Sequence, residues 1–126
     1  MRKADIVKRL NALGFEKADY WVITGSAMVL YGLREQTHDI DLGCTTALAD
    51  RLEAQGTPVE YQADGSRKLT IGDDVELFEN WLFDTVQLLD GIPVISLQGL
   101  AEMKTRLGRE KDLRDLRLIS DFLARK

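Results

Sequence analysis

Two aspartates separated by one apolar residue, Asp39-Ile40-Asp41, are the feature of this 126-residue chain with the most evident chemistry. On a strand, side chains alternate between faces, so Asp39 and Asp41 project to one side while Ile40 and Leu42 turn to the other. Carboxylates held that close repel each other, and a chain that keeps both ionised usually places a cation between them. An oxygen-only ligand set favours Mg2+, with Mn2+ as the alternative, and Mg2+ held by carboxylates shares its remaining positions with phosphates and water. The bland alternative is an acidic strand end facing solvent.

A second signal precedes the first. The apolar, β-branched run Tyr20-Trp21-Val22-Ile23-Thr24 reads as a buried strand, and Gly25-Ser26 turns it into a helix that Gly32 stops. Backbone N–H groups at such a helix start bind phosphate through hydrogen bonds and the helix dipole. Gly25 lets the backbone approach a phosphate closely. The Ser26 hydroxyl either donates to a phosphate oxygen or caps the helix.

Strand, Gly-Ser, short helix, and a strand carrying D-x-D together resemble the nucleotidyltransferase superfamily of the DNA polymerase β type. The resemblance implies that Gly25 and Ser26 hold a nucleoside triphosphate and that Asp39 and Asp41 bind metal. It also implies a third acidic residue on a neighbouring strand, as metal ligand or as the base that draws a proton from an acceptor hydroxyl. Asp73, Asp74, Glu76 and Glu79 are candidates. Glu76 is preferred because Val75-Glu76-Leu77-Phe78 sets it between apolar neighbours, with Asp74 as runner-up on the same face. Arg34, in the loop before the acidic strand, is a phosphate-contact candidate.

Near the C-terminus, Arg109-Glu110-Lys111-Asp112-Leu113-Arg114-Asp115 forms an R-x-K-D-x-x-D pattern, preceded by Lys104 on the helix before it. This resembles the closing motif of nucleotidyltransferase toxins of abortive-infection (type IV) toxin–antitoxin systems. Lys111 and Asp115 lie four residues apart and share a helix face, and Asp112 and Asp115 are near neighbours. The resemblance implies that Lys104 or Lys111 neutralises charge on a leaving pyrophosphate, with Arg109, Asp112 and Asp115 orienting the lysine or contacting nucleotide or acceptor. A helix laced with ion pairs is the competing reading.

The elements that must position these residues follow from periodicity. Helices are expected at 4–14, from Gly25, at 47–55, from Ser96 to about Leu107, and from about Arg109 to Ala124 with Leu113, Leu116, Ile119 and Leu123 on its inner face. Strands are expected at 20–24, 38–44, 58–62, 67–71, 75–78, 85–89 and 92–94. That order predicts one α/β (α+β) domain over residues 1–126, with a mixed sheet flanked by helices, two of them C-terminal, and the resemblance implies that this is the twisted sheet of the nucleotidyltransferase fold. Cys44 is the single cysteine, so no internal disulfide or thiolate zinc cluster forms. His38, Trp21 and Trp81 read as structural.

The net charge of −4 argues against a dedicated nucleic-acid binder. From Gln98 onward eight basic residues face five acidic ones, and the rest of the chain is acidic. No apolar stretch is long enough to span a membrane, and the N-terminus lacks an apolar signal core, so the expectation is a cytoplasmic protein. Two functions remain open. One is a Mg2+-dependent enzyme moving a nucleoside monophosphate from an NTP (ATP among them) to a hydroxyl on a small molecule, a partner protein or a tRNA. The other is a catalytically weak or inactive nucleotide-binding module in a toxin–antitoxin or regulatory pair. A homodimer is a further expectation.

Overall fold

Tyr20–Ile23 are four consecutive buried residues, and they form β1 near the middle of the sheet. A computed structural model of the chain describes residues 1–82 and 85–125. Along the chain run α1 (Lys3–Leu13), β1, α2 (Thr24–Leu30), β2 (Ile40–Cys44), α3 (Thr46–Ala54), β3 (Val59–Tyr61), β4 (Arg67–Ile71), β5 (Val75–Glu79), β6 (Val86–Leu89), β7 (Ile92–Ile95), α4 (Leu97–Leu107) and α5 (Glu110–Ala124). The seven strands make one mixed sheet in the order β3-β4-β5-β2-β1-β7-β6. β2 pairs antiparallel with β1 and parallel with β5, and β1 pairs parallel with β7.

Register matters more to the site than strand count. Asp41 lies opposite Ile23 on one side and Glu76 on the other, so the acidic positions of β2 and β5 sit side by side on one sheet face. The alternate residues Ile40, Leu42, Val75 and Leu77 are fully buried and anchor both strands in the core. Burying each such side chain stabilises the fold by about 1.5–3 kcal/mol, which holds the carboxylates on a stiff support. α2 packs on β1 and β2, α4 packs on α2, and α5 packs on α4, which brings the C-terminal basic motif back over the acidic strand.

Gly43 follows Asp41 on the same face and has no room for a side chain. A Cβ there would stand 1.9 Å from Trp21 Nε1 and 2.7 Å from the Trp81 carbonyl oxygen, and those two groups are themselves hydrogen-bonded at 2.7 Å. Trp81 in turn stacks on Phe78, with ring centroids 5.0 Å apart. Gly43→Ala is therefore expected to destabilise the domain by about 3 kcal/mol, because a backbone carbonyl as well as an indole must shift. A urea titration followed by tryptophan fluorescence checks this.

The last helix is turned differently from the expected apolar face. α5 buries Asp112, Asp115 and Ile119, while Leu113 is 55% exposed and Leu123 is 37% exposed. The spacing 112, 115, 119 is as helical as 113, 116, 119, 123, and the two faces share Ile119, which is buried as expected. Cationic partners, the buried Lys104 and the partly exposed Arg34 and Arg109, decide which face goes inward. Cys44 is buried, and burial pushes its thiol up to about 12, so it acts as a small hydrophobe. Among the described residues no helix is long and apolar enough to cross a membrane.

Candidate functional site

β1 ends where a turn of backbone delivers Thr24 and Gly25 beside β2. Register sets Ile23 opposite Asp41, so the residue after Ile23 emerges next to the Asp41 carboxylate. The Thr24 hydroxyl donates to Asp41 Oδ2 at 2.6 Å. Ser26 is fully buried two residues further on. Its hydroxyl donates to the Asp39 carbonyl and accepts from the Asp41 N–H, both at 3.0 Å. Ser26 thus clamps the backbone on either side of Ile40 and fixes the spacing of the two aspartates. This corrects two expectations. α2 begins at Thr24 with Ile23 at its cap, so Ser26 does not cap it, and the serine hydroxyl faces β2 instead of the pocket.

The two aspartates line one pocket of about 310 Å3. Asp39 sits just before β2 and is exposed, and Asp41 is partly buried within it. Burial pushes the Asp41 carboxyl above its ordinary value. The Thr24 hydroxyl pulls it back, the Glu76 and Asp39 charges push it up, and Lys104 lowers it. Arg34, Lys104, Arg109 and Lys111 supply positive charge around the same pocket, with Thr24, Gly25, Thr37 and His38 completing its wall. Two carboxylates and four cations around one pocket form an arrangement suited to a metal-bound polyphosphate.

Glu76 stands next to Asp41 in register, but its carboxylate is held by Lys68 Nζ at 2.8 Å. Among the described residues no three His, Cys, Asp or Glu side chains are gathered closely enough to hold a metal by themselves. The trio Asp39, Asp41 and Glu76 is therefore not assembled here. A cation on Asp39 and Asp41 would complete its shell from phosphate and water, which is the ordinary habit of Mg2+, and the oxygen donor set fits that ion. Asp74, the runner-up to Glu76, lies in the turn before β5. It is paired with Arg9 of α1, with Nε–Oδ2 at 2.9 Å. Glu79 is buried against Arg67, with Nη2–Oε2 at 2.7 Å.

The basic motif forms a buried ionic network. Lys104 of α4 is 3% exposed and reaches Asp115 Oδ2 at 2.9 Å and Asp112 Oδ1 at 3.5 Å. Arg34 Nη2 grips both oxygens of Asp115 at 2.7 Å, and Arg109 Nε donates to Asp112 Oδ2 at 2.6 Å. Burial opposes the Asp112 charge, yet hydrogen bonds from the Arg109 side chain and backbone, with Lys104 beside them, hold its carboxyl below the usual range. Three cations face two anions, so the cluster keeps an excess positive charge at the pocket edge. Lys111 stands apart from it. The ion pairs of Asp115 run to Lys104 and Arg34, and Lys111 is exposed on the pocket rim.

Arg34 is held by Asp115 and lies against Gly25. A Cβ on residue 25 would fall 2.7 Å from Arg34 Nη1 and 3.0 Å from Thr37 Oγ1. The glycine therefore gives room to a guanidinium that borders the pocket. Reasoning from residue types missed Thr24 and the Lys68–Glu76 pair. The first depends on a backbone turn that no residue type announces, and the second on cross-strand register.

No protein-family model matches the chain, and no curated protein does. A solved structure from Thermotoga maritima, described as "a putative nucleotidyltransferase", superposes with a TM-score of 0.63 at 19% identity, over 100% of this chain and 97% of that one. That likeness shows the fold: the mixed seven-stranded α+β fold of this chain is similar to that of the Thermotoga maritima structure.

Proposed function

We propose that the chain transfers a nucleoside monophosphate from an NTP to an acceptor hydroxyl. The observation that carries this reading is the single pocket in which Asp39 and Asp41 meet Arg34, Lys104, Arg109 and Lys111. Asp39 and Asp41 would hold Mg2+, which when bound neutralises phosphate charge and orients the triphosphate. Gly25 lets the phosphate chain lie close to the turn after β1. Arg34, Lys104 and Lys111 counter the charge that collects on the β- and γ-phosphates as the bond from the α-phosphorus to its bridging oxygen breaks. The acceptor oxygen attacks the α-phosphorus in line, pyrophosphate leaves, and the acceptor proton passes to Glu76, released from Lys68. Holding the two reactants in this geometry is most of the catalysis.

The R-x-K-D-x-x-D pattern supports a place in a toxin–antitoxin pair, with a partner protein or tRNA as acceptor. The negative net charge supports a small acceptor instead. The grip of Lys68 on Glu76 favours a second reading, a nucleotide-binding module whose third carboxylate is engaged elsewhere. Incubation with each α-labelled NTP, Mg2+ and cell lysate separates the readings. Label carried onto an acceptor, with pyrophosphate release that Asp39→Ala abolishes, supports the enzyme. NTP binding by calorimetry with no label transferred from any NTP would sink it in favour of the module.

A further inference from the structure

Thr24 has a backbone that its side chain disfavours. Its φ is +53°, in the left-handed region. The two other non-glycine residues with positive φ among the described residues are Asn80 and Asp90, whose short polar side chains tolerate that region. Threonine is branched at Cβ and does not. A strained residue persists where its surroundings enforce it, and such residues gather at functional sites.

What the strain achieves is visible in the hydrogen bonds. α2 has Ile23 at its cap and no side-chain cap bond, so the Thr24 hydroxyl does not serve the helix. It donates to Asp41 Oδ2 at 2.6 Å, within the range of a charge-assisted O–H···O bond. With Ser26 fixing the Asp41 backbone through its N–H and Thr24 fixing the carboxylate, both ends of the Asp41 side chain are held. Among the described residues Oδ1 has no hydrogen-bond partner, and both Thr24 and Asp41 border the pocket.

We infer that Thr24 is a positioning residue for cation binding: its strained turn fixes the rotation of the Asp41 carboxylate so that Oδ1 is free for a divalent ion. The inference rests on the reading of Asp39 and Asp41 as cation ligands. Residues that orient metal ligands through hydrogen bonds typically change affinity by about 10–100-fold when removed.

The test is Mn2+ binding to the full chain, followed by the electron paramagnetic resonance signal of free Mn2+, together with thermal unfolding. Thr24→Val keeps the shape and loses the hydroxyl, so Mn2+ should bind about tenfold more weakly. Thr24→Ser keeps the hydroxyl and should stay within about twofold of the parent, since the positioning bond remains. Thr24→Gly relieves the backbone, so Tm should rise by a few degrees while Mn2+ affinity falls as in the valine variant. This separates positioning from plain structural support, whose removal would lower Tm, and it supplies a folded variant should valine fail to fold. Unchanged Mn2+ affinity in Thr24→Val or Thr24→Gly overturns the inference alone. A parent chain that binds no Mn2+ overturns the cation reading of Asp39 and Asp41 along with it.

Discussion

Asp41→Asn should lower turnover by about a thousandfold or more while leaving the fold intact. A unit charge about 4 Å from a cation contributes about 4 kcal/mol at an effective dielectric near 20, and that energy corresponds to three orders of magnitude in rate. The substitution keeps the size of the side chain and an oxygen to accept the Thr24 hydrogen bond, so packing has no reason to change. Stability should move the other way. Burial raises the folded-state value of the Asp41 carboxyl above its unfolded value, so the ionised form costs stability at neutral pH. That cost sets in as pH rises through the unfolded value toward the folded one, and it vanishes below the unfolded value, where both states are protonated. Asp41→Asn should therefore unfold at a higher temperature than the parent at pH 7, with the difference shrinking as pH falls below about 4, the ordinary aspartate value. Calorimetry across pH, beside a labelled-nucleotide assay, reads both effects. Full turnover by the variant would remove Asp41 from the chemistry.

The elements were legible where local chemistry decided them. The strand at Arg67–Ile71, the helix start at Ser96 and the break at Gly108 follow from turn residues and caps, and all three stand as read. The mixed sheet followed from element order. The acidic face of Glu76 and Phe78 followed from alternation, with Val75 and Leu77 buried behind it. What sequence could not supply was pairing across distance. Asp74 looked equivalent to Glu76 by alternation, but α1 brings Arg9 to it. Ser26 looked free for phosphate, but β2 returns beside it and takes both sides of its hydroxyl. Leucine spacing on the last helix suggested an apolar inner face, while the inward side carries two aspartates whose partners come from Lys104, Arg34 and Arg109. The strained turn at Thr24 was invisible for a different reason, since a residue type does not announce its own φ. For Asp74, Ser26 and Asp115 the missing information is a partner from a distant part of the chain.

That dependence makes the two lysines of the basic motif, alike in sequence, differ sharply in what their loss should do. Lys104 is buried between two buried aspartates, and Lys111 is exposed on the pocket rim. Removing one partner of a buried ion pair costs about 3–5 kcal/mol, because the remaining charge loses its compensation without regaining water. Asp115 keeps Arg34 and Asp112 keeps Arg109, so the low end applies, and Lys104→Met should destabilise the chain by about 3 kcal/mol. The methionine retains the apolar stem, so packing loss contributes little. Lys111→Met should leave stability within about 0.5 kcal/mol, as exposed substitutions usually do. NTP affinity should fall in both variants, because both side chains border the site. Urea unfolding at constant slope, set beside calorimetric titration with Mg2+ and NTP, separates the two losses. Equal stability in the two variants would mean that the Lys104 network is solvated and contributes charge to the pocket without holding α4 and α5 together.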